Sequence, residues 1–175
     1  MKNTLKSVML LFAVTFFSFV NAQNITGKST KIAVDGTSPM HDWTMTASSA
    51  NFSGTVSGNA ITNVKFSMPA KNLKSTKGKM MDNKAYDALK ADKSPNISFT
   101  ATSLSVGKGN LAGKLTIAGV TKDVSFPVNV VKNGASYNIT GTENLKLSDF
   151  GMERPGFMGV KTGDAIKVTV NIVAN

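Results

Sequence analysis

From Val64 to the C-terminus, apolar and polar positions alternate in short runs, and that alternation sets the expected fold. Val64, Phe66 and Met68 alternate with polar neighbours, as do Ile97, Phe99 and Ala101. Leu115 with Ile117 repeats the pattern, followed by Val124, Phe126, Val128 and Val130. Tyr137 with Ile139 continues it, and Ile166, Val168, Val170 and Ile172 close the chain. Successive side chains on a strand point to opposite faces, so each run predicts a strand with one buried and one wetted face. Clusters of Gly and Asn between the runs, at residues 107–110 and 133–134, read as hairpin connections. Seven or eight strands joined this way predict an all-β domain, either a sandwich or a closed barrel.

Two segments break the alternation. Over residues 79–92, Met81, Ala85, Ala88 and Leu89 recur at helical spacing among Ala and Lys, which predicts one short amphipathic helix. Ser94-Pro95 stops it, because the residue before a proline is pushed away from helical geometry. Residues 151–163, with Pro155-Gly156 inside them, read as a loop before the last strand.

The amino-terminal stretch has a different pattern. Lys2 and Lys6 precede an apolar run over residues 8–20, and Val20-Asn21-Ala22 supplies small residues after it. That order predicts a secretory signal peptide over residues 1–22, with the mature chain beginning at Gln23 in a periplasmic or secreted compartment. The run has 13 residues, against the roughly 20 a membrane-spanning helix needs. Residues 23–175 are enough for one domain held by its own core. With no cysteine anywhere, the chain has no thiol chemistry and no lipidated cysteine.

The whole chain carries a net charge of +10, and loss of Lys2 and Lys6 leaves +8. Seven lysines and three aspartates fall between Lys71 and Lys93, half of that excess in one segment. An anionic membrane surface or a protein partner fits such a segment; so does simple solubility. Nucleic acid is not an expected partner of an exported chain.

Candidate catalytic chemistry is sparse. His41 is the only histidine, followed by Asp42 and Trp43. Adjacent side chains on a strand diverge, so a structural or rim-lining role is expected for His41 rather than a base in a triad. One imidazole with scattered carboxylates offers no metal-ligand spacing, so no metal is expected. Asp149 and Glu153 flank the loop, while Asp82, Asp87 and Asp92 read as solvated charge on the helix. No catalytic residue and no cofactor are assigned, and the chain reads as a non-enzyme.

Three segments, in order, carry a resemblance. They are YDALKADKSPNISFT from Tyr86, GKLTIAGVTKDV from Gly113 and LKLSDFG from Leu145, with Gly163-Asp164 opening the final strand. So arranged they resemble the YceI-like family of exported polyisoprenoid-binding proteins, from about Ile25 to the C-terminus. The chain departs from familiar members before the helix, where it has Lys74-Ser75-Thr76-Lys77-Gly78-Lys79, and around Met40-His41-Asp42-Trp43.

The resemblance implies an eight-stranded antiparallel, lipocalin-like barrel with one short helical insertion. It further implies that the interior holds a long isoprenoid chain, such as a quinone tail or a polyprenyl phosphate, as ligand. Strand parity then nominates the lining: Phe66, Met68, Phe99, Leu115, Ile117, Phe126, Val128, Ile139, Ile166 and Val168. Phe150 and Trp43 are expected near one end. The alternative is a barrel with a filled core, an envelope structural or interaction protein that docks through its basic face.

Overall fold

The alternating runs pair into one antiparallel sheet that closes on itself. The computed structural model describes residues 22–175; the predicted signal peptide up to residue 21 lies outside them. The elements, in chain order, are β1 (Gln23–Gly36), β2 (Trp43–Ala47), β3 (Asn51–Ser57), β4 (Ala60–Pro69), β5 (Lys74–Ser75), α1 (Lys79–Ala88), β6 (Asn96–Ser105), β7 (Gly107–Ile117), β8 (Val120–Asn133), β9 (Ser136–Lys146), β10 (Gly156–Phe157), β11 (Val160–Lys161) and β12 (Ala165–Ala174). The wall runs β1–β3–β4–β6–β7–β8–β9–β12 and closes where β12 pairs back with β1. β2 continues the line of β3 along the same edge of β1, pairing Ile32–Gly36 while β3 pairs Gln23–Thr26. Counting β2 and β3 as one interrupted strand gives an eight-stranded antiparallel barrel, and closure leaves no room for a sandwich.

The predicted strand faces hold throughout. On β12, Ile172 and Ala174 are buried and Ile166, Val168 and Val170 half-buried, while Ala165, Lys167, Thr169 and Asn171 are exposed. Hairpin geometry follows local chemistry. Ala118 and Gly119, between β7 and β8, both have positive φ (51° and 81°), as a two-residue turn between twisted strands requires.

Several expectations need correction. Residues 107–110 are not a connection but the first residues of β7, paired with β8 from Gly107↔Val130 to Asn110↔Pro127. The helix ends at Ala88, four residues early. Lys90 adopts a left-handed φ of 51°, so that Lys90 N donates to Asp87 O and Ala91 N to Tyr86 O, the Schellman arrangement that terminates helices. Asp92 therefore lies beyond the helix, paired with Lys71 at 2.7 Å. Asp82 is buried rather than solvated: its carboxylate accepts the Ser75 backbone N–H at 2.6 Å, tying β5 to α1. The loop before β12 contains the small β10–β11 hairpin. His41 and Asp42 precede β2 in an exposed loop rather than lying on a strand.

α1 sits at the barrel end where β4 finishes and β6 begins. Tyr86 fastens it there, its hydroxyl lying 2.9 Å from the Lys71 carbonyl and 3.0 Å from that of Leu73. Lys84 donates to the Gly156 carbonyl at 2.6 Å and Lys90 to that of Gly151 at 3.1 Å. Part of the basic segment is therefore a set of fasteners between helix and loop.

Candidate ligand cavity

The interior divides into a packed end and a hollow one. At the end holding the β3–β4 and β8–β9 turns, Ile25, Ile61, Leu104 and Val130 are almost fully enclosed and Ile172 is 4% exposed. Toward α1, several inward residues become half-buried, namely Phe66, Leu115, Phe126, Ile166, Val168 and Val170, while Met68 and Ile117 stay buried. An inward side chain in a closed wall retains accessible surface only where empty space adjoins it. That space is a cavity of about 200 Å³.

All ten residues nominated from strand parity border this cavity. On β12 the lining runs from Ile166 to Ile172, six steps along the strand, or roughly 20 Å at 3.3 Å each. The cavity is thus elongated. Phe99 and Phe126 meet on one wall with ring centroids 5.6 Å apart and planes tilted by 57°. Gly141 provides the floor for Phe126, since a Cβ there would stand 3.3 Å from the ring.

The hollow end is closed by apolar side chains from the helix and loops. Ala85, Ala88 and Leu89 reach it from α1 and the residue after it. Leu147 and Phe150, in the one-turn helix Leu147–Phe150, are buried there with Met152 and Pro155 alongside. Trp43 completes the rim; its indole N–H donates to the Thr37 carbonyl at 3.2 Å and its ring lies on Gly36. His41 does not border the cavity and stays exposed.

One polar residue on the wall escaped the reading of the sequence. Glu143, on β9, stands opposite Val168 in register and therefore faces inward. Burial raises its carboxyl pKa above the usual range, partly offset by a hydrogen bond from the Asn144 backbone N–H. The pattern held the signal: parity from Tyr137 and Ile139 continues through Gly141 to Glu143 and Leu145. Glu143 also sits where the wall opens. The β8–β9 ladder ends at Val128↔Gly141, next to Pro127, which has no N–H to donate. Beyond that point β9 remains paired only with β12. Thr142 and Lys146, of the opposite parity, also border the cavity along this seam.

Among the described residues, no group of three or more His, Asp or Glu side chains converges to hold a metal ion. No described helix is long and apolar enough to cross a membrane.

A closed antiparallel barrel enclosing an elongated apolar cavity is the architecture of small-molecule carriers that work by enclosure. The chain belongs to the YceI-like domain family, whose model matches residues 14–174. No curated protein matches it. Among solved structures it is similar to BcnA of Burkholderia cenocepacia (TM-score 0.71, 18% identity, covering 83% of this chain and 96% of that one). It is similar, too, to a polyisoprenoid-binding domain from Saccharophagus degradans implicated in plant cell wall breakdown (TM-score 0.71, 12% identity, 86% and 97% covered). A third similar structure is the Campylobacter jejuni YceI protein (TM-score 0.56, 19% identity, 99% and 97% covered).

Proposed function

We propose that this protein is an exported carrier that encloses the long apolar chain of an isoprenoid-type lipid, without chemical turnover. The observation carrying this reading is the hollow half of the barrel, where inward apolar side chains keep accessible surface in a closed wall. A dry apolar cavity favours apolar occupants, and each buried methylene contributes roughly 0.8 kcal/mol. A chain threaded along the cavity therefore gains affinity without specific polar contacts. Kinship with a polyisoprenoid-binding domain supports the ligand class.

The hollow end also suits loading from a lipid surface. Met40, Met80 and Met158 are exposed, Met158 by 88%, in loops and a helix start at that end. Lys77 and Lys79 lie exposed beside Met80, which favours an anionic surface.

The test is native mass spectrometry of protein purified from the compartment to which it is exported, followed by organic extraction. A stoichiometric species with the mass of a prenyl chain is the expected result. An apo mass that stays unchanged after incubation with quinones and polyprenyl phosphates would overturn the reading in favour of a barrel that works through a protein partner.

A further inference from the structure

Among the described residues, Glu143 is the one acidic side chain bordering a largely apolar cavity, and it stands at the seam where outward-parity residues also border it. Its carboxylate is under-used. The Asn144 backbone N–H favours its ionised form, and no salt bridge joins it to any described residue. A carboxyl group can accept several hydrogen bonds, so acceptor capacity remains at the seam. Phe126, two residues before the last paired residue of β8, lines the same cavity as Glu143, two residues past the last paired residue of β9.

We propose that Glu143 receives the polar end of the ligand, and that this end is an uncharged hydrogen-bond donor, a hydroxyl above all, rather than a phosphate. The inference rests on the lipid-carrying reading and narrows its ligand class. A donor placed against the carboxylate forms a charge-assisted bond in a low-dielectric wall, stronger than a neutral one. A phosphate at the same place meets a like charge, and Lys146, the cation bordering the cavity along the seam, makes no ion pair with Glu143 to offset it. The apolar tail then runs past Phe126 and Phe99 toward the packed end, while the head stays at the seam within reach of water.

The experiment compares farnesene, farnesol and farnesyl phosphate, one chain with three heads, for binding to the full chain and to its Glu143→Gln and Glu143→Leu variants. Farnesol should bind the unaltered protein roughly tenfold to a hundredfold more tightly than farnesene, as a hydrogen bond to a charged group contributes, and farnesyl phosphate more weakly than either. In Glu143→Leu the advantage of farnesol should vanish while farnesene binding is kept. Glu143→Gln, which keeps an acceptor but no charge, should retain part of that advantage and lose the discrimination against phosphate. Equal binding of farnesol and farnesyl phosphate by the unaltered protein, or a farnesol preference that survives Glu143→Leu, overturns the assignment and leaves the carrier reading intact. If farnesene too fails to bind, the carrier reading falls and takes the role of Glu143 with it.

Discussion

Asp164 grips Ser148 at two points: its Oδ1 accepts the Ser148 backbone N–H at 2.9 Å and its Oδ2 the Ser148 hydroxyl at 2.6 Å. The Asp164 carbonyl also accepts the Leu147 N–H at 2.9 Å. The residue that opens β12 thus holds the one-turn helix whose Leu147 and Phe150 close the hollow end. Two sequence segments that carried the family resemblance, LKLSDFG and Gly163-Asp164, are one structural unit.

Disruption of that grip should be visible as a pH-dependent loss of stability. The Ser148 hydrogen bonds hold the Asp164 carboxyl below its usual pKa. A depressed acid stabilises the fold above its unfolded pKa, and that contribution disappears as pH falls through the folded one. Asp164→Asn should therefore melt at a lower temperature than the unaltered protein at neutral pH. The gap should narrow on acidification, as followed by thermal unfolding from neutral pH to about pH 2. A gap independent of pH would mean that the charge plays no part.

Gly113 tests the packing of the cavity wall. A Cβ there would stand 2.4 Å from Phe99 Cζ and 2.4 Å from the Thr100 carbonyl oxygen. The ring can swing, but the carbonyl belongs to the neighbouring strand. Gly113→Ala should cost about 1–3 kcal/mol in denaturant unfolding, the usual range for overpacking. An unchanged midpoint would show that β6 and β7 part there without penalty.

The division into hollow and packed ends makes a sharper prediction. Val168 and Val130 are both inward valines, but Val168 is half-buried against the cavity whereas Val130, 1% exposed, lies in the filled cluster and does not border the cavity. Val168→Trp should leave stability nearly unchanged and abolish uptake of an apolar chain. Val130→Trp should destabilise by about 1–3 kcal/mol or more, since the cluster around it is filled. Phe126→Trp, half-buried at the cavity two strands away on β8, should behave like Val168→Trp. Equal destabilisation at all three positions, read from chemical denaturation, would show that the whole interior is filled.

The strands from Val64 onward were legible because one face of each is buried and the period of two is kept along nearly all of them, the slip from Ala101 to Leu104 on β6 apart; all ten nominated residues reached the cavity wall for that reason. β1 was not legible, because its register shifts between Gly27 and Ser29. Inward positions are Ile25 before the shift and Thr30, Ile32 and Val34 after it, so strict alternation fails. The end of α1 was misplaced because a lysine, Lys90, fills the left-handed position usually marked by glycine. Hollowness itself was not legible: Phe66 and Val168 against a cavity look the same, as residue types, as Ile61 and Val130 in a packed core. Glu143 was hidden by Gly141, which broke the apolar run just before the one inward charge.

That charge should weigh on stability in the direction opposite to Asp164. Burial raises the Glu143 pKa in the folded state, so between the unfolded and folded values the native protein binds more protons than the unfolded chain. Stability from this group is then full below the ordinary carboxylate range and falls as pH rises through the raised value. The surroundings offer little relief. Val168 faces Glu143 from β12, Lys122 on β8 is exposed, and Lys146, which borders the same cavity, follows on its own strand without an ion pair to it. Glu143→Gln in the ligand-free protein should raise the melting temperature at neutral pH, and the gain should fade toward acid as the native carboxyl takes up its proton. A variant that melts lower than the unaltered protein at neutral pH would mean that the ionised carboxylate has a stabilising partner in the fold, which would also leave it unavailable as a ligand acceptor.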